Sequence, residues 1–420
     1  VPGLRVVLLV ACLLSSVGLA QEDAGAEQSD LMNEIDRAAA FTVPDAGAPA
    51  PTQNPIVRAF QSLNPDIAAI VDVTGGIGGL PPYSLAGDDP DLRGAIDEHP
   101  AGFTVQEAEV ALQATVDPYL KADLFLTIPN LHGIEVEEAF ATSTSLPFDL
   151  QLKAGIFRSA FGRQNGQHLH LQDFTRRPLI NEAFLGEDGL RAPGVQLSWL
   201  VPTPFFLQLT GELFSAAPPD APEHLGTFGG GKRTDLTYTA ELKAFFPATE
   251  ALSIYVGLDA AFGKSAGVAS ALGVRRAGAT TMLQGVDLYV KYKPPNVVDG
   301  YFSLAWTTEL FVREVAGIDV LEAGTTSGGF YTQLVAQVAR RWLIGVRQDV
   351  LGLPTSELEA RVFRTSASVT FVASEFARLR LYGEREAKPG AADSFLAGAP
   401  NWAGYLQLEV AIGAHGAHPF

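Results

Sequence analysis

Cysteine is almost missing from this chain; its single copy is Cys12. That excludes a disulfide-stapled scaffold, a cysteine-ligated zinc ribbon and a dithiol redox centre. Basic residues are also scarce: 29 Lys and Arg stand against 47 Asp and Glu, for a net charge of −18. A chain of that sign repels phosphate backbones, so nucleic acid is excluded as a partner. Beyond the N-terminus no apolar run is long enough for a membrane helix, which needs about 20 residues. The absence does not exclude a membrane-spanning sheet, whose strands alternate apolar and polar residues. Apolar residues are plentiful, at 47% of the chain, which argues against a mostly disordered polymer.

The first residues read as an export signal. Arg5 precedes an apolar run from Val6 to Leu14, and small residues lead to Ala20 before Gln21-Glu22-Asp23. The expected division is a signal peptide over 1–20, an Ala/Pro-rich periplasmic leader over 21–64 and a single body over 65–420. Leu9-Val10-Ala11-Cys12 offers a second reading, a lipoprotein box. Within the leader, Leu31 to Phe41 could form about two helical turns.

The body has a period of two. From Thr234 to Phe245, Leu236, Tyr238, Ala240, Leu242 and Ala244 alternate with Asp235, Thr237, Thr239, Glu241 and Lys243. The stretches Phe148–Phe157 and Tyr405–Ile412 repeat the pattern. Strands of about ten residues are long for a soluble sandwich and match a tilted bilayer crossing. About 16 such strands can be placed, and the connections alternate between tight and long, apart from 129–132. The expected fold is therefore all-β: a transmembrane antiparallel β-barrel with short periplasmic turns and long extracellular loops, its lipid partner the outer membrane. Hydrocarbon leaves no backbone group unpaired, so the sheet must close. Trp199, Phe205, Tyr255, Tyr292, Tyr301, Trp306, Trp342, Phe376, Trp402 and Tyr405 fall near strand ends and are expected in interfacial girdles.

The segment Gln151-Leu-Lys-Ala-Gly155, Phe161-Gly-Arg163, His168-Leu-His170, Asp173-Phe174, Arg177-Pro178-Leu179, Phe184-Leu-Gly186 and Pro193-Gly194 to Trp199 resembles a family of porin-like outer-membrane proteins of Gram-negative bacteria. Its members often carry the label zinc-regulated TonB-dependent outer membrane receptor. The barrel has a fainter resemblance to phosphate-selective porins. The resemblance implies an outer-membrane barrel with a pore. The receptor label implies a plug domain and about 22 strands, for which this chain is too short. The final Phe420 resembles the assembly signal of such barrels, although the preceding residues break the alternation.

Function is expected in the loop 158–191, the third on the long-loop rim. Arg158, Arg163, Arg176 and Arg177, with Asp173 and Glu182, are the candidates for a pore constriction, because arginine forks hold carboxylates and phosphates. The alternative is an external loop held by its own ion pairs. Glu107, Glu109, Glu135 and Glu137 on early strands, and Arg347, Arg364, Arg378 and Arg380 on late ones, would give the lumen acidic and basic sectors. Acids outnumber bases there, which favours cations. His168 and His170 share a face in extended chain and, with Asp173, could take zinc; two polar loop histidines are the plainer reading. No other cofactor is indicated. Gly263-Lys-Ser265-Ala-Gly267 fits a nucleophile-elbow spacing, but a loop follows where a helix is needed. No catalytic residues are expected. The leading expectation is a porin passing small hydrophilic solutes or ions, as a homotrimer by analogy. A ligand or zinc receptor and a structural barrel are the alternatives.

Overall fold

The computed structural model describes residues 66–78, 102–128, 133–186, 189–215, 227–229, 234–265, 268–269, 275–276, 278–295, 301–316, 325–354, 361–387 and 402–413. The expected signal and leader, and Phe420, lie outside these residues.

Sixteen long strands follow in chain order. They are β1 (Asp66–Gly78), β2 (Gly102–Asp117), β3 (Leu120–Thr127), β4 (Glu135–Ser143), β5 (Leu150–Arg158), β6 (Arg191–Leu200), β7 (Phe206–Ser215) and β8 (Leu236–Thr249). The second half comprises β9 (Leu252–Lys264), β10 (Thr280–Tyr292), β11 (Ser303–Val315), β12 (Thr325–Ala339), β13 (Trp342–Leu353), β14 (Val362–Ser374), β15 (Ala377–Ala387) and β16 (Trp402–Gly413). Each pairs antiparallel with its chain neighbours, and β1 pairs with β16 from Ala68↔Gly413 to Gly78↔Ala403, closing the barrel. Closure leaves no strand edge, the condition for a sheet in hydrocarbon.

All sixteen expected strands are present. The connections sort by parity as expected: two residues join β2 to β3, β8 to β9, β12 to β13 and β14 to β15. The β10–β11 connection is longer than the expected Pro294–Asn296 turn, and β11 begins at Ser303 rather than near 297. The other rim carries the longer connections, including 159–190 between β5 and β6.

The barrel is inside-out relative to a soluble protein. Val195, Leu197, Leu209, Val346, Leu381, Leu406 and Leu408 face outward and are exposed. Thr239, Glu241, Asp259, Asp287, Glu309, Arg347, Arg364 and Arg380 are buried on the inner face. Exposed Trp199, Tyr292, Trp306, Trp342 and Phe376 lie near the tight-turn rim, as an interfacial girdle requires. Two expected girdle members do not belong to it. Tyr255 and Tyr405 fall on inward positions of β9 and β16 and are buried, because strand parity outranks closeness to a strand end.

Leu381 lies mid-strand on the outer face. Leu381→Arg should destabilise the bilayer-embedded barrel by about 2–4 kcal/mol, read from denaturant unfolding in lipid vesicles.

Candidate functional site

The described residues of the segment 159–190, here the inner loop, are folded inside the barrel. They contain a 3-10 turn at Leu169–Leu171 and one short helix, α1 (Leu179–Leu185). An irregular segment exposes backbone N–H and C=O groups that need partners once water is excluded. The barrel wall supplies them. Carboxylates accept where the loop presents N–H: Ala160 N–H donates to Glu212 of β7 (3.0 Å), Gly162 N–H to Asp259 of β9 (3.0 Å) and Gln164 N–H to Glu309 of β11 (2.9 Å). Asp349 of β13 accepts the Leu179 N–H (2.9 Å), satisfying a donor in the first turn of α1. Cationic side chains donate where the loop presents C=O. Arg347 reaches the carbonyls of Arg176 (2.9 Å) and Arg177 (3.3 Å), and Arg380 reaches that of Gln172 (2.7 Å).

The inner loop therefore touches walls on several sides of the lumen. Thr175 donates to Gln407 of β16 (2.9 Å), 232 residues away, and Gln106 of β2 donates to the Thr175 carbonyl (3.4 Å). Leu179, Ile180, Phe184 and Leu185 pack with Phe311, Tyr331, Leu351 and Val362 of the wall in one apolar cluster. A recess of about 20 Å³, room for a water molecule, lies beside Thr175 and Arg176, lined also by Thr74, Thr104, Gln106 and Tyr405. Gly162 turns the chain at φ +71°; a Cβ there would lie 2.9 Å from Glu309 and 3.0 Å from Phe311.

The expected arginines act as struts. Arg158 pairs with Glu137, and its N–H donates to Glu138 (2.6 Å). Arg176 bridges Glu384 (2.5 Å) and Glu182 (3.4 Å), while Arg364 binds Glu182 (3.0 Å) and Glu386 (3.3 Å). Burial lowers the Arg176 guanidinium's affinity for its proton; Glu182 and Glu384 outweigh it, and the net shift is upward. Arg177 donates to the carbonyls of Gln164 (3.3 Å) and Gln167 (3.1 Å), holding the loop to itself. Arg163 stacks 3.9 Å from the Tyr289 ring centroid. Arg378 is not brought to the inner loop; it pairs with Glu409 at 2.5 Å near the tight-turn rim. Glu135 sits at the end of β4, opposite Thr127.

The histidines anchor the other side of the loop. His168 is fully buried, with Nδ1 2.9 Å from Glu109 and Nε2 2.8 Å from Glu138. Glu137 lies 3.3 Å from Nδ1. Two ring nitrogens facing carboxylates define an imidazolium that donates twice. Burial pulls its pKa down; Glu137, Glu109 and Glu138 outweigh that, and the net value lies well above 6.5. The expected third metal ligand, Asp173, is elsewhere. The 3-10 turn breaks the extended chain, and Gln333 of β12 donates to Asp173 (3.2 Å). Burial raises the Asp173 carboxyl. Glu109, His168 and His170 do place one atom each within 4.8 Å, as do Glu107, Glu109 and Glu137. A metal on His168 would have to displace a hydrogen-bonded proton.

Sequence reading missed Glu138. Alternation puts it on the face opposite Glu137, but a register shift between Phe125 and Leu126 lets consecutive glutamates point inward. It also passed over Glu212, Asp259, Glu309, Asp349 and Glu384. Their inward parity was readable; their loop partners were not.

Together these features define a closed sixteen-strand barrel of the outer-membrane porin type, with a loop seated in its lumen. Solved structures share the architecture. An anion-selective porin from Comamonas acidovorans superposes at TM-score 0.52 and 12% identity, over 83% of this chain and 99% of that one. OmpT of Vibrio cholerae, in its trimer form, gives 0.52 and 10%, over 83% and 99%. The outer membrane channel DcaP of Acinetobacter baumannii gives 0.51 and 11%, over 83% and 96%. At these identities the likeness is one of fold. The receptor label gains no support, since its barrel has about 22 strands and this one sixteen. No protein-family model matches the chain. By sequence it is 32% identical over 351 residues to an uncharacterized protein of Aquifex aeolicus (strain VF5), covering 76% of this chain and 70% of that one. The chain belongs to that protein's family.

A group whose folded pKa is raised contributes anchoring that is complete below its ordinary value and lost as pH rises through the folded value. Hydrogen-exchange protection of the Gln167–Leu171 amides, corrected for intrinsic rates, should therefore hold through neutrality and fall in the alkaline range. His168→Ala should lower it below that transition and abolish the transition itself; unchanged protection in that variant would contradict the anchor.

Proposed function

We propose that this chain is an outer-membrane channel for passive diffusion of small hydrophilic solutes or ions, with the inner loop as its constriction. One observation carries the reading: a charged, buried loop is hydrogen-bonded to opposing walls of a barrel whose outer face is apolar. A barrel that catalysed a reaction would need a nucleophile or base free to act. His168 is instead held between carboxylates, and Ser265 sits in an isolated bridge with Phe228. The reading assigns no catalytic step.

The arrangement also favours a narrow passage. Arg158, Arg176 and Arg364 are each matched to carboxylates, so they brace the loop more than they attract anions. The acidic residues of the β8–β11 wall exceed their basic neighbours, which supports a preference for cations. Assembly into three copies, the form named for the Vibrio cholerae protein, is part of the reading.

Planar-bilayer recording of the refolded chain tests it. Small stepwise openings are expected, with a reversal potential of cationic sign under a salt gradient. Replacing residues 160–189 by a short Gly/Ser linker should enlarge the steps severalfold. Silence from both folded proteins would overturn the channel reading. Equal steps from both would remove the constriction.

A further inference from the structure

We propose that the lumenal wall formed by β9 and β10 binds a hydrated divalent cation between Asp259 and Asp287. The register sets up the site. Asp259 lies opposite Gly285 and Asp287 opposite Gly257, so two aspartates and two glycines alternate on a square of the inner face. Each aspartate leans over its neighbour's glycine. A Cβ on Gly257 would fall 1.7 Å from Asp287 Oδ2, and one on Gly285 would lie 3.2 Å from Asp259 Oδ2. Any side chain larger than hydrogen at position 257 would displace the Asp287 carboxylate.

The Asp287 carboxylate is the anomaly. The residue is 1% exposed, and neither oxygen accepts a hydrogen bond. Asp259 accepts Gly162 N–H at Oδ1 and nothing at Oδ2. Glu241 stands opposite Asp259 on β8, and Glu309 opposite Asp287 on β11, with Oε2 of Glu309 also without a hydrogen bond. The cations facing this group are Lys243, 2.9 Å from Glu241, and Arg163, stacked on Tyr289. Four carboxylates against two cations leave a formal charge of −2. Buried carboxylates without partners are costly; Asp259 and Glu309 each hold a loop N–H group, and Asp287 holds none.

A divalent cation supplies the two missing charges. An all-carboxylate donor set selects a hard ion of the magnesium or calcium class over zinc or copper. The three-oxygen convergence within 4.8 Å found at Glu107, Glu109 and Glu137 is not reached at this square among the described residues. The ion would therefore keep part of its water shell, as magnesium does where one or two carboxylates hold it. Gly257 and Gly285 let the two carboxylates lie close against the facing strands, where any side chain would push them away.

The inference rests on the fold and not on conduction, so its test reads binding. The full chain, folded in detergent micelles, is titrated with terbium ion as a luminescent stand-in for calcium, with excitation at tyrosine. Tyr255 and Tyr289 pair with each other two register positions along from the site, on the same face of the same two strands. Saturable emission, displaced by calcium or magnesium, is expected. Asp287→Asn and Asp259→Asn should each weaken binding at least tenfold. The wild-type melting temperature should rise with calcium and saturate, a readout that needs no variant. Three results would overturn the proposal: no saturable binding and no calcium-dependent rise, unchanged affinity in both folded variants, or loss of binding in Glu107→Gln alone, which would place the ion at the other acidic cluster. A barrel that binds the ion but passes no current would refute the channel reading and leave this one standing.

Discussion

The structure depends on satisfying an irregular backbone inside a closed barrel. Strands meet this demand by pairing with each other, and closure completes it. The inner loop cannot, because its residues are mostly not in regular structure. Its N–H and C=O groups are met by wall side chains chosen by charge. Glu212, Asp259, Glu309 and Asp349 stand where the loop offers hydrogen, and Arg347 and Arg380 where it offers oxygen. The division of the lumen into acidic and basic sectors thus begins as a structural requirement, and any selectivity is built on top of it.

This changes what the arginines mean. In sequence they suggest a surface waiting for an anion. In the fold, Arg364 and Arg176 share Glu182 and are each held by a further glutamate, while Arg158 is taken by Glu137. Removing one partner of such a buried set would strand the other, which costs more than the pair contributes. The surplus lies on the other sign, at the wall of β8 to β11. There the carboxylates Glu241, Asp259, Asp287 and Glu309 outnumber Lys243, Lys291 and Arg163, and Asp287 has no hydrogen-bond donor. A channel with this lining would present matched struts on one side and unmatched acid on the other.

The outer face follows simpler rules. Leucine and valine fill its outward positions, and aromatic residues mark the tight-turn rim. The lumen is not uniformly polar, because inward positions toward the long-loop rim carry Leu283, Phe311, Leu351 and Val362, against which α1 packs. The loop is thereby held by apolar burial near one rim and by ion pairs deeper in.

Barrel class, sixteen strands, alternating loop lengths and the outward face were all legible in the sequence. Period two and turn residues are local properties, readable over ten residues at a time. The candidate loop was legible too, by its length and its arginines. What each side chain holds was not. Glu138 turns inward only because β4 shifts register against β3. Tyr255 leaves the girdle because parity places it inside. His168 meets glutamates 30 and 59 residues away, and Thr175 meets Gln407 at 232. Asp259 and Asp287 share a square with Gly257 and Gly285 only in the register that β9 and β10 adopt. Such partnerships belong to strand register and to the path of the loop through the lumen. Both are set by long-range closure, so the sequence by itself determined the container and the tertiary structure decided its contents.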